Sequence, residues 1–105
     1  MNAEILRGFT EAIILSELLK SDSYGYFISR SIIEKSNNLI DIKDATIYLA
    51  FKRMEDNKLI ESYEGESVNG AKRKYYRITE SGKLYYKDKL KEWDVIKSIL
   101  DNLLH

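Results

Sequence analysis

Cysteine and proline are absent from this chain, and its one histidine, His105, is the last of 105 residues. Without cysteine there is no disulfide and no thiolate nucleophile or metal ligand, a composition that suits a reducing compartment. A residue at the extreme end of a chain is ordinarily loosely held, so imidazole is not expected to bind metal or move protons. Carboxylates alone could take a hard cation, but the spacing of an EF-hand loop is missing. A P-loop and a Gly-x-Ser-x-Gly element are missing too. Together these gaps argue against an enzyme, and no cofactor or metal is expected. Net charge is also absent, with 17 basic residues against 17 acidic ones.

No Pro-rich or Gly/Ser-rich linker and no internal repeat divides the sequence, so one domain is expected. A chain of this length buries roughly 65% of its unfolded surface, enough for one core. Glu4, Arg7, Glu11 and Glu17 interrupt the apolar residues of the N-terminal stretch. That stretch is expected to be neither a signal peptide nor a membrane span, and the protein to be cytoplasmic with no membrane partner.

Hydrophobic periodicity supplies the organisation. Residues 4–20 read as a helix whose apolar surface, including Ile5, Phe9, Ala12 and Ile13, is too broad for one ordinary solvent face. Asp22 or Ser23 is expected to cap a second helix, which carries Phe27, Ile28 and Ile32 and ends near Ser36 to Asn38. A third helix spans about 44–57, with Ile47, Ala50, Phe51 and Met54 on its core side. Its other side carries Ala45, Tyr48, Leu49 and Lys52. Two strands, 59–64 and 73–79, flank Asn69-Gly70, a strong turn signal. Thr79 is expected to cap a final helix from about Glu80 to Leu103, striped by Leu90, Trp93, Ile96 and Leu100. That helix, at ~1.5 Å per residue, is too long for a small domain to cover, so dimerisation is expected.

The order helix, helix, helix, hairpin, helix is that of a mainly α fold with a β-hairpin wing, a winged helix-turn-helix followed by a dimerisation helix. Residues 1–79 form the expected DNA-binding domain and 80–105 the dimerisation helix. In such motifs the third helix enters the major groove. The hairpin stretch NGAKRKYYRIT, Asn69 to Thr79, holds four cations and no anion. Cations that neutralise phosphates release condensed counterions, and only the docking face has to be positive for this. Glu55, Asp56, Glu61, Glu64 and Glu66 are expected to sit away from that face. The competing account of the same run is a solvated edge strand protected from aggregation by its charges.

DATIYLAFKRMEDNKLIESYEG followed by GAKRKYYRITESG, with YGY at 24–26, resembles the PadR family of bacterial transcriptional regulators. The likeness runs from about Leu6 to Leu104. It implies a homodimeric winged-helix repressor of stress or multidrug-transporter genes that binds inverted-repeat double-stranded DNA. Three positions depart from the family's pattern: Ala45 and Lys58 replace usual glycines, and Ala71 stands where a second wing-tip glycine is common. Asn57 is therefore expected to close the third helix.

The resemblance places Thr46 and Tyr48 at the DNA surface. The Tyr48 hydroxyl suits a phosphate oxygen, against the alternative of a core tyrosine. Ala45 and Leu49 suit thymine methyls, or form a small neutral surface. Lys43, Lys52, Lys72, Arg73 and Lys74 are the phosphate candidates, Lys43 and Lys52 being equally readable as solvated side chains. Trp93 lies midway along the expected dimer helix, where a twofold axis would bring two copies together. In the short, multidrug-responsive members it resembles, this tryptophan lines a cavity between subunits. Ile5, Gly8 and Ala12 would supply opposing walls, with Leu90 and Ile96 nearby. A planar aromatic effector is the expected ligand, with a Trp93 that merely fills the dimer core as the alternative. Lys97, one turn beyond Trp93, would disfavour cations. The competing function is a winged-helix protein-interaction module without specific DNA or ligand binding.

Overall fold

The computed structural model describes residues 3–67 and 69–105. A 3-10 segment, Ala3–Phe9, leads into α1 (Thr10–Lys20). The N-terminal stretch is thus helical as expected, but its first part is wound more tightly than an α-helix. Then come α2 (Gly25–Lys35), α3 (Asp44–Asp56), β1 (Ile60–Glu66), β2 (Lys72–Ile78) and α4 (Glu80–Leu104). The two strands form an antiparallel hairpin, in register from Ile60 opposite Ile78 to Glu66 opposite Lys72. Gly70 turns the hairpin with φ +77°.

The core joins α1, α2, α3 and the base of the hairpin. Ile14, Leu15 and Leu18 meet Ile28, Ile47, Phe51 and Met54, all buried. The core stripe expected of α3 is therefore present in full. Tyr76 of β2 closes this core by stacking on Phe51, with ring centroids 3.9 Å apart. Phe27 instead lies outside it, exposed on α2.

Ser23 corrects an expectation. Neither it nor Asp22 caps α2, whose N-cap residue is Tyr24, with no side-chain cap. Ser23 is buried and pairs with β2 as an isolated bridge: its N–H donates to the Tyr76 carbonyl at 3.2 Å and its carbonyl accepts from Tyr76 N–H at 2.8 Å. The Asp22 carboxylate accepts from the Tyr63 hydroxyl at 2.6 Å. Pairing with a strand edge outcompetes local capping because it satisfies two backbone groups at once.

α3 ends in a Schellman closure, in which two backbone N–H groups satisfy the last carbonyls. Lys58 N–H donates to Glu55 O at 3.0 Å and Leu59 N–H to Met54 O at 2.8 Å. Asn57 is the C-cap, as expected, but the left-handed residue is Lys58, at φ +60°. A side chain there costs about 1–2 kcal/mol, partly offset by the greater freedom glycine has in the unfolded chain. Lys58→Gly should accordingly stabilise the fold by about 0.5–1 kcal/mol, read as a rise in urea midpoint with an unchanged m-value.

Thr79 starts α4 and ties it down. Its hydroxyl oxygen accepts from Gly82 N–H at 3.0 Å. The same hydroxyl faces the Lys58 carbonyl at 2.8 Å and the Leu59 carbonyl at 3.0 Å, sharing its proton between them. Gly82 is the one buried residue of α4. Beyond that first turn the helix packs along α1, in a molecule measuring 54 × 30 × 21 Å.

Candidate nucleic-acid interface and interhelix cavity

The periodicity that buries Ile47, Ala50 and Phe51 turns their neighbours outward. Lys43, Ala45, Thr46, Tyr48, Leu49 and Lys52 are all exposed. Tyr48 and Leu49 are 54% and 59% exposed despite their size. Tyr48 is still held: its ring packs edge-on against Phe51, with centroids 6.0 Å apart. It also covers Gly25, where an added Cβ would lie 3.0 Å from the Tyr48 hydroxyl. The Tyr-Gly element of the sequence thus has a geometric reason, since the small residue at the start of α2 leaves room for the tyrosine of α3.

The candidate residues of α3 do not share one surface. Ala45, Tyr48, Leu49 and Lys52 line the outward face. Lys43 and Thr46 border an open polar groove of about 980 Å³ between α3, the N-terminal segment and α4. Gly8 also borders this groove. Glu11 joins its walls by accepting from Arg53 Nε at 2.9 Å and from the Tyr85 hydroxyl at 3.1 Å. Burial and the charge of Glu11 push the Tyr85 phenol up to about 12.

The wing overturns the expectation that the acids stand apart from the cations. Successive strand residues face opposite sides, so Lys72 and Lys74 share one face and Arg73 and Arg77 the other. Lys72 reaches Glu64 at 3.5 Å, Lys74 reaches Glu55 at 3.7 Å and Arg77 reaches Glu61 at 3.1 Å. Tyr76 and then Glu55 hold the Lys74 ammonium above its ordinary pKa, against desolvation. Asp56 and Glu66 are exposed.

A second cavity lies between α1 and α4. It measures about 280 Å³ and is almost wholly apolar, lined by Phe9, Ala12, Ile13, Tyr86, Leu90 and Trp93 among others. Phe9 meets Trp93 edge-on, with centroids 6.1 Å apart. Trp93 remains 45% exposed. Of the expected wall residues, Ala12, Leu90 and Trp93 come together here, whereas Ile5, Gly8 and Ile96 do not line it. Lys97 Nζ sits 5.9 Å from the Trp93 ring centroid and Lys89 Nζ 5.4 Å from that of Phe9. Phe9, Tyr86 and Lys89 were not singled out by the sequence, although Phe9 stood within its broad apolar surface. No helix among the described residues is long and apolar enough to cross a membrane.

A helix-turn-helix with outward polar and apolar side chains on its second helix, flanked by a hairpin, defines a winged-helix DNA-binding protein. Residues 14–88 match the model of the transcriptional regulator PadR-like family. A transcriptional regulator from Clostridium thermocellum is 44% identical, with a TM-score of 0.89 over 97% of this chain and 99% of that one. A PadR family transcription regulator from hypervirulent Clostridium difficile is 39% identical, with a TM-score of 0.81 over 92% and 99%. An uncharacterised protein of Lysinibacillus sphaericus is 46% identical over 101 residues, 96% of this chain and 93% of its own. The chain belongs to the PadR-like family of transcriptional regulators. It is a DNA-binding regulator of transcription and not an enzyme.

Proposed function

We propose that this regulator is a cytoplasmic homodimeric repressor of stress or multidrug-transporter genes. In this reading residues 1–79 engage an inverted-repeat operator, residues 80–105 pair the two copies, and a planar aromatic molecule held against Trp93 relieves repression. The observation that carries the DNA half is the exposure of Tyr48 and Leu49 beside a fully buried stripe on the same helix. Large side chains so displayed suit base edges and phosphates, with Ala45, Thr46 and Lys52 around them and Lys43 at the helix start. Lys72, Arg73 and Lys74 supply the flanking phosphate contacts. Selection of bound fragments from a random duplex library should return inverted repeats with half-sites about one helical turn apart, or a multiple. Tyr48→Phe should weaken that binding by ~1 kcal/mol through loss of one hydroxyl contact.

The interaction-module alternative draws support from the carboxylates beside Lys72, Lys74 and Arg77, which lower the positive potential of the wing. A duplex-binding constant that is measurable and falls steeply with salt decides against that alternative.

The apolar α1–α4 cavity supports the effector half of the reading. Lys97 beside the Trp93 ring favours neutral or anionic planar compounds over cations, while Glu92 offsets the charge of Lys89 at 3.2 Å. Trp93 is the sole tryptophan, so its emission reports this site alone. Neutral and anionic aromatics should quench it, and Trp93→Ala should lose their binding while remaining dimeric. Lys97→Asp should shift preference toward cations. Equal binding to the wild type and to Trp93→Ala would leave Trp93 a packing residue.

A further inference from the structure

We infer that Tyr24 is a positioning residue for DNA binding, holding Arg73 as the wing cation that contacts phosphate. The inference rests on the DNA-binding reading and names the side chain that carries its salt-dependent part. The hairpin register is the first observation. It sets Glu66 opposite Lys72, Glu64 opposite Lys74 and Glu61 opposite Arg77, but Gly65 opposite Arg73. Among the described residues, Lys72, Lys74 and Arg77 each have a carboxylate within ion-pair distance, and no such pair involves Arg73.

The second observation is what holds Arg73 instead. Its guanidinium carbon lies 3.9 Å from the centroid of the Tyr24 ring. Tyr24 is itself fixed. The two hydrogen bonds of the Ser23–Tyr76 bridge place Tyr24 beside Tyr75, whose ring it meets edge-on at 5.4 Å. Tyr75 stacks on Tyr63 at 5.8 Å, and the Tyr63 hydroxyl is anchored on Asp22. Gly65 is needed for this stack, because a Cβ there would lie 2.5 Å from Tyr75 Cδ2.

Aromatic faces attract a guanidinium without neutralising its charge. Arg73 is therefore ordered yet keeps its donors for an external anion. A cation beside a carboxylate is already partly neutralised, so its net counterion release on binding phosphate is smaller. The two lysines of the same run consequently contribute less than their number suggests.

The test uses the intact protein and a random-sequence DNA duplex, with affinity measured across a salt series. Arg73→Ala should flatten the slope of log affinity against log salt by about 0.9, the value for one lost phosphate contact. The pair Lys72→Ala, Lys74→Ala should flatten it less than Arg73→Ala alone. Tyr24→Leu should weaken binding roughly two- to fivefold, the worth of a cation–π contact, but should have no further effect in the Arg73→Ala background. Tyr24→Phe keeps a ring and should behave as wild type, which separates lost positioning from lost folding. The inference is overturned if Tyr24→Leu weakens Arg73→Ala as much as wild type. It is equally overturned if the double lysine variant flattens the slope as much as Arg73→Ala. Wild-type protein that does not bind duplex at low salt would instead sink the DNA-binding reading itself.

Discussion

Gly82→Ala should destabilise the fold by roughly 3 kcal/mol or more, beyond the usual cost of overpacking. A methyl group there would collide with the Leu59 carbonyl oxygen and lie 2.7 Å from Ile78 Cγ1. The carbonyl cannot step aside, because it accepts from Thr79 N–H at 3.1 Å and belongs to the turn that closes α3. The side chain of a partly buried isoleucine can adjust; a hydrogen-bonded main-chain atom at a chain corner cannot. The melting temperature should fall by more than about 10 °C. Gly8→Ala is the control: nothing lies within 4 Å of an added Cβ, and the change should stay within about 0.5 kcal/mol. Equal melting temperatures for wild type and Gly82→Ala would show that α4 is not seated on the Leu59 carbonyl.

In the homodimer proposed above, Leu100→Asp should separate the subunits at micromolar concentration. Leu90, Trp93, Ile99 and Leu100 lie along α4, and Leu100 is 44% exposed. Covering a leucine contributes about 1.5–3 kcal/mol, and twofold symmetry counts each substitution twice. The loss is therefore ~3–6 kcal/mol, roughly two to four orders of magnitude in the dimer constant. Sedimentation equilibrium should show the shift, with circular dichroism unchanged because the buried core contains no part of this stretch. Affinity for a two-half-site operator should fall with it. A Leu100→Asp variant that sediments as wild type would place the subunit contact elsewhere.

The parts of this fold governed by periodicity were legible in the sequence. Ile47, Ala50, Phe51 and Met54 had to share a face whatever their surroundings, and they are buried together. Thr79 as a cap and Asn69-Gly70 as a turn were legible for a similar reason, since both depend on local backbone chemistry. What depended on tertiary pairing was not. Ser23 has the chemistry of a helix cap, but the edge of β2 claims its backbone first. The cations of the wing look like one patch in the sequence, yet strand alternation divides them, and among the described residues glutamates of both β1 and α3 meet all but Arg73. Lys58 as a residue type carried no sign of a positive φ; only the glycine usual at that position in the resembling family hinted at it. At the interhelix cavity, Trp93, Leu90 and Ala12 were found from helical spacing and resemblance. Ile5, Gly8 and Ile96, expected to wall a cavity between two subunits, lie outside this cavity within one chain.

In the dimer proposed above, the seating of α4 would set how far apart two recognition helices stand. α4 is 25 residues long, about 37 Å at 1.5 Å per residue, held at its start by the Thr79 corner and along its first half by Tyr85 on Glu11 and Trp93 against Phe9. A change of about 5° in that seating displaces the far end by roughly 3 Å over this length. That is close to the rise of one base pair along B-DNA, 3.4 Å. Thr79→Ala would loosen one end of that seating and leave the Tyr85 and Trp93 contacts in place, so its expected signature is a modest gain in tolerance: operators lengthened or shortened by one base pair would bind more nearly alike.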